Sequence, residues 1–183
     1  MIIGTNPRAV LAAFTAVLAA WVFAGCAGYQ VGAIKPTRMQ KVNTIAVQTF
    51  KNDTLQPRVE VLLANAVIKQ IQQDGTYKIA GEKEADAILE GTIDEIERRP
   101  QRSVRGNVLL TREYELVLRI NYRVIDRVTG QQLESRSVQG RTDFFVSGSN
   151  TLSADVIQDE RQALPIAAEE AAIRLVSQIS EGW

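Results

Sequence analysis

One cysteine and one run of arginines are the residues of this chain best suited to chemistry. Cys26 is the only cysteine among 183 residues, and it closes an apolar stretch in Phe23-Ala24-Gly25-Cys26. A thiol so placed points to lipid attachment. It points away from a disulfide, which needs a second cysteine. Arg98, Arg99, Arg102 and Arg105, with Arg112 nearby, concentrate positive charge in a chain that carries 21 basic and 21 acidic residues. Guanidinium groups offer planar forks of donors to phosphate oxygens, so this run is the candidate anion site. The competing reading is a solvated loop whose arginines serve solubility. The chain contains no histidine, which excludes histidine acid–base chemistry, Ser-His-Asp triads, Cys-His pairs and histidine metal sites. It has no Gly-rich phosphate loop and no GxSxG elbow. The carboxylate pairs Glu82 with Glu84 and Glu169 with Glu170 sit among other charges and read as wet surface rather than a catalytic dyad. No residue is a catalytic candidate, and no metal or cofactor site is expected.

The segment before Cys26 has the layout of an export signal. Met1 to Arg8 is short and polar, Ala9 to Gly25 is almost wholly apolar, and the small residues Ala24 and Gly25 precede the cysteine. A positive start, an apolar core and a small-residue exit describe a secretory signal peptide. The alternative is a membrane-spanning helix, but no cluster of Lys or Arg follows as a stop-transfer signal. The four residues ending at Cys26 resemble a bacterial lipobox, with Phe23 where Leu is commoner. Residues 1–25 are therefore expected to be removed, residues 26–41 to form a lipidated tether, and residues 42–183 to form the working domain. Cutting 25 residues from 183 leaves 158, one ordinary domain. Only Arg8 is lost among charges, leaving 20 basic against 21 acidic residues. A balanced domain offers no global attraction for nucleic acid, so none is expected as partner.

Which elements would position these residues follows from periodicity. Thr44 to Phe50 is β-branched and apolar, and reads as a strand stopped by Lys51-Asn52-Asp53. A helix follows, capped by Asp53 or Thr54 and with Pro57 in its first turn. Val59, Leu62, Leu63, Ala66, Val67 and Ile71 make its apolar stripe. Its end falls near Asp74-Gly75, where Gly takes a left-handed turn. Thr76 to Ile79 reads as a short strand or connector. A longer strand opens at Ala85 and runs towards Arg98, with its alternation slipping near Gly91 as at a bulge or a close backbone approach. Residues 98–107 read as a polar loop. Tyr114, Leu116, Leu118, Ile120, Tyr122 and Val124 alternate with Glu115, Val117, Arg119, Asn121 and Arg123, the pattern of a long half-buried strand. Asp126 to Gly130 turns the chain, and Gln131 to Phe145 pairs back. From about Ala154 to Ile179 the pattern is helical. Leu164, Ala168, Ala171, Leu175 and Ile179 form the stripe, and Pro165 is expected to kink the helix or mark its start. The expected fold is α+β: a two-layer sandwich, an about four-stranded mostly antiparallel sheet with two helices packed on one face.

Several short motifs, taken in order, resemble a known family. Cys26 is followed by Gly28-Tyr29-Gln30-Val31-Gly32. The first strand runs into Phe50-Lys51-Asn52-Asp53-Thr54, with Pro57 opening the helix. Ala85-Asp86-Ala87-Ile88-Leu89-Glu90-Gly91 begins the next strand, and the chain ends in an apolar helix and Trp183. Together these look like LptE, the lipopolysaccharide-assembly lipoproteins of Gram-negative outer membranes. The resemblance implies two helices against a four-stranded sheet. It also implies a non-catalytic lipoprotein on the periplasmic side of the outer membrane that plugs and assists the β-barrel LptD and binds lipopolysaccharide. Ala27, after the cysteine, lacks the acidic residue that often signals inner-membrane retention. Lipopolysaccharide phosphates are the anions that Arg98, Arg99, Arg102, Arg105 and Arg112 would then meet. Ile45-Ala46-Val47 with Phe50, Asn52 and the Ala-Asp-Ala strand is also similar to oligomeric secretion lipoproteins and peptidoglycan-synthase activators, and that alternative stays open on sequence alone.

Overall fold

The computed structural model describes residues 35–103, 111–145 and 153–181, all within one compact unit spanning Ala33–Trp183. Cys26 and the expected signal segment lie outside the described residues, as do Arg105 and Trp183. The elements in order are β1 (Thr44–Val47), β2 (Lys51–Asn52), α1 (Val59–Asp74), β3 (Lys78–Ile79), β4 (Ala87–Ser103), β5 (Thr111–Asp126), β6 (Gln132–Phe145) and α2 (Ser153–Glu181). A short 3-10 turn, Thr37–Met39, precedes them and buries Met39 completely.

The α+β class is as expected, but the sheet is larger and mixed. It has six strands in the order β3-β1-β4-β5-β6, with β2 pairing β4. β1 runs parallel to both β3 and β4, and β2 runs parallel to β4. Only β4–β5 and β5–β6 are antiparallel. The expected four mostly antiparallel strands fail because α1 is a crossover. A helix between two strands carries the chain back to start a parallel neighbour.

The first strand is split. β1 ends at Val47, and Phe50 then turns inward, 2 % exposed, before β2 resumes against Thr92 and Ile93. Phe50 rests on Gly91, where a Cβ would meet its ring at 2.8 Å and the Asn121 carbonyl at 2.5 Å. The slip in alternation at Gly91 is thus a close approach. The ladder's register shifts lie further on, between Ile93 and Glu95, Pro100 and Arg102, and Arg102 and Ser103.

Both helices cover one sheet face. Val59, Leu63, Val67 and Ile71 of α1, and Leu164, Ala168, Ala171, Leu175 and Ile179 of α2, join Leu89, Ile93, Leu116, Leu118, Ile120, Tyr122 and Val124 in one core. Each fully buried Leu or Ile contributes roughly 1.5–3 kcal/mol. The helices run side by side in the same direction, since Gln56 meets Glu160, Lys69 meets Glu169, and Asp74 meets Ser180. Gly140 of β6 lets α2 lie against the strand: a Cβ there would collide with the Ala167 carbonyl and stand 2.7 Å from the Ala171 nitrogen.

Helix ends agree in part with expectation. Gly75 takes φ 76° and donates its N–H to the Ile71 carbonyl at 3.1 Å. At the other end neither Asp53 nor Thr54 is the cap. The N-cap is Arg58, in the left-handed region at φ 67°. The Asp53 carboxylate pairs with Lys51, and the Thr54 hydroxyl donates to Asn52 and accepts the Gln56 N–H, so both are engaged within the loop. α2 begins at Ser153 and passes through Pro165, so the proline does not mark its start. Pro165 is exposed on the helix surface.

Candidate functional site

The arginine run is not a loop as far as Ser103. β4 continues through Arg98, Arg99 and Arg102 and pairs with β5 throughout. The correction has a simple cause. Polar residues with strand-compatible backbones extend a ladder when a long partner such as β5 lies beside them. Being on a strand separates the arginines, because alternate side chains leave on opposite faces. Arg98 pairs in register with Leu116 and lies on the helix-covered face, whereas Arg99 pairs with Glu115 on the open face. Arg102 and Arg112 lie on β4 and β5.

Arg98 reaches Glu160 of α2 at 3.3 Å. Glu160 is 5 % exposed, the only charged residue among the buried ones described. Its other oxygen accepts a hydrogen bond from Gln56 Nε2 at 3.0 Å. Gln56 belongs to a loop built around Asn52. Asn52 Oδ1 accepts from the Thr54 N–H at 2.9 Å and from the Thr54 hydroxyl at 2.7 Å. Its amide nitrogen donates to the Gln56 carbonyl at 2.8 Å and to Glu60 at 2.9 Å. One carboxylate thus ties the loop before α1, the start of α2 and the far part of β4. Glu160 was not singled out from sequence as part of a site. Its signal was phase: it stands four residues before Leu164, on the same helical stripe as Ala168, Ala171 and Leu175.

The open face carries a grid of paired charges. Arg123 pairs with Glu90 directly across the strands, Arg119 with Glu95 at 3.0 Å, and Asn121 with Asp94. Arg99 meets Glu97 at 2.7 Å and Glu115 at 3.9 Å. The Arg99 guanidinium holds Glu97 below the usual carboxylate range, and Glu97 in turn raises Arg99. Val117 also points to this face yet is 1 % exposed. Its register partners are Glu97 and Arg141, and such long charged side chains shield apolar surface with their stems. A polar depression of about 450 Å³ opens where β1 breaks off, lined by Gln48, Lys51, Glu90, Asn121, Arg123 and Ser135.

The carboxylate pairs weighed as dyads are dispersed among other partners. Glu82 accepts from Gln48, and Glu169 pairs with Lys69 at 3.0 Å. Glu170 pairs with Arg174 and accepts the Arg141 backbone N–H at the edge of β6. Burial pushes the Glu170 carboxyl up, but these two donors outweigh it and hold it low. A second polar cluster closes the opposite end of the core. Tyr77 donates to the Ile179 carbonyl at 2.7 Å and Tyr122 to Gln178 at 2.9 Å. Burial raises both phenols, helped by Asp74 and Glu134 at Tyr77 and by Glu134 at Tyr122. Burial also raises Glu134 itself, opposed by Arg136 and Arg38. Among the described residues no group of three or more potential ligands could hold a metal ion, and no helix is long and apolar enough to cross a membrane.

A mixed six-stranded sheet, two parallel helices on one face and a grid of paired charges on the other define an α+β domain. The family model for lipopolysaccharide assembly, LptE, matches residues 42–179. The chain belongs to that family. Comparison with curated proteins found no match. Among solved structures, uncharacterized lipoprotein B from Nitrosomonas europaea has a TM-score of 0.52 at 15% identity, covering 84% of this chain and 90% of that one. A variant of the PelC dodecamer from Paraburkholderia phytofirmans has a TM-score of 0.50 at 17% identity, covering 83% and 97%. Both show a shared fold.

Proposed function

We infer that this protein is a non-catalytic lipoprotein of lipopolysaccharide assembly, held at the periplasmic side of the outer membrane by lipid on Cys26. It seats in and assists an LptD-like β-barrel and binds lipopolysaccharide. Membership of the LptE family over residues 42–179 is the observation that carries this reading. In it, residues 1–25 are a cleaved signal, 26–41 a lipidated tether and 42–183 the working domain. The tether's last residues serve the fold: Lys35 donates to the Val42 carbonyl at 2.6 Å, and Met39 enters the core.

The arginines divide by task. Arg98 serves the fold through Glu160, which leaves Arg99, Arg102, Arg105 and Arg112 as the phosphate contacts. Arg99 is already shared between two carboxylates, so a phosphate must compete with them, and binding weakens as salt rises. The test replaces these four arginines by Ser and measures lipopolysaccharide affinity in low and moderate salt. Loss of affinity supports the reading; unchanged affinity overturns the phosphate role. Isolation of the full lipidated chain from solubilised outer membrane tests the partner. A one-to-one complex with a barrel supports the plug, and a homo-oligomeric ring favours the secretion-type alternative.

A further inference from the structure

Leu55 is the most exposed large apolar side chain described, at 102 % of its reference area. Single exposed leucines are common on protein surfaces. This one differs in how it is held. Residues on both sides are locked: Thr54 binds Asn52 through its backbone and its hydroxyl, and the Gln56 carbonyl accepts from the Asn52 amide. Gln56 is itself fastened to buried Glu160. Three residues on, the chain reverses through Arg58 in the left-handed region, a conformation that non-glycine residues rarely occupy. The fold thus spends a buried carboxylate and an asparagine on ordering a loop whose tip touches nothing. A leucine carried on an ordered loop has only its side-chain rotamers left to fix when a partner buries it.

We propose that Leu55 is an anchor that inserts into an apolar pocket on the protein partner, with Lys51, Asp53 and Arg58 as its polar rim. The surroundings favour a protein over a lipid layer. Lys51 and Asp53 form an ion pair at 2.9 Å beside the leucine, and Arg58 is exposed, its guanidinium without a hydrogen-bond or ion-pair partner among the described residues. Membrane insertion needs a broad apolar face, whereas a lone apolar residue ringed by charge matches the centre and rim of a protein interface. Arg58 calls for an acidic or carbonyl-rich rim on the partner. The proposal rests on the barrel-partner reading above.

The test uses the full lipidated chain and the purified LptD-like barrel in detergent. Affinity is measured for the wild type, Leu55→Ser, Leu55→Met and Val128→Ser, the last an apolar residue, 76 % exposed, on the β5–β6 turn. Leu55→Ser should weaken binding by roughly tenfold to hundredfold, the scale of burying one leucine side chain. Leu55→Met and Val128→Ser should bind as the wild type does. All four should melt together, because Leu55 makes no contacts in the fold. Wild-type affinity in Leu55→Ser overturns the anchor and leaves the barrel reading intact. No binding by the wild type overturns both. Equal losses in Leu55→Ser and Val128→Ser overturn the anchor, since the effect then follows exposed apolar area and not this loop.

Discussion

Arg98 and Arg99 are neighbours in sequence, yet their loss should have unlike consequences. Arg98→Ser removes the cation at 3.3 Å from Glu160, a residue 5 % exposed. Stripping one partner from a fully buried ion pair costs about 3–5 kcal/mol. Two features reduce that figure. The Arg98 side chain is 47 % exposed, and Glu160 keeps its hydrogen bond from Gln56. A cost of about 2 kcal/mol is expected. Arg99 lies on the open face with its closest partner, Glu97, also exposed, so Arg99→Ser should leave the midpoint nearly unchanged. Urea unfolding at pH 7 reads both, and with a slope of about 2 kcal/mol/M the Arg98 variant should lose about 1 M in midpoint. The pairing is isolated by a double-mutant cycle of Arg98→Ser with Glu160→Gln, whose coupling should be about 1–2 kcal/mol. Equal midpoints for the two single variants, or a coupling indistinguishable from zero, would refute the reasoning. Lipopolysaccharide binding by Arg98→Ser should be judged only at temperatures where the variant is folded.

Gly140→Ala should cost at least about 2–3 kcal/mol, because the new methyl strikes the α2 backbone at Ala167 and Ala171, which cannot swing aside; a midpoint within error of the wild type would show that α2 can lift off β6 freely. Burial raises the Glu134 carboxyl, so its contribution to stability is present below the unfolded value of about 4.3 and is lost as pH rises through the folded value. Glu134→Gln should therefore raise the melting temperature at pH 7, and the gain should vanish towards pH 4; a gain that grows on acidification contradicts the sign. Arg58→Gly should stabilise by up to about 1 kcal/mol, since glycine enters the left-handed region without penalty, which calorimetry can check. A Cys26→Ala protein exported by another signal should still bind the barrel partner in solution, and failure to bind would make the lipid part of the interface.

What could be read from the chain alone was whatever repeats over a few residues. β5 was legible because Leu116, Leu118, Ile120, Tyr122 and Val124 keep a period of two, and all five are buried. The two helical stripes and the Gly75 stop were legible for the same reason: each is set by neighbours within a turn or two of backbone. The family was legible from the order of short motifs. Parallel pairing of β1 and β2 with β4 was not, because strand direction depends on which distant segment supplies hydrogen bonds. Arg98 to Ser103 looked like loop by composition and became strand because β5 runs alongside. That extension split the arginines between two faces and gave Arg98 to Glu160, a residue 62 positions away. Asn52 likewise displaced Asp53 and Thr54 as organiser of the loop before α1. Periodicity is a property of local backbone geometry and survives in the sequence. The partner of a charge is a property of long-range packing, and only the folded chain assigns it.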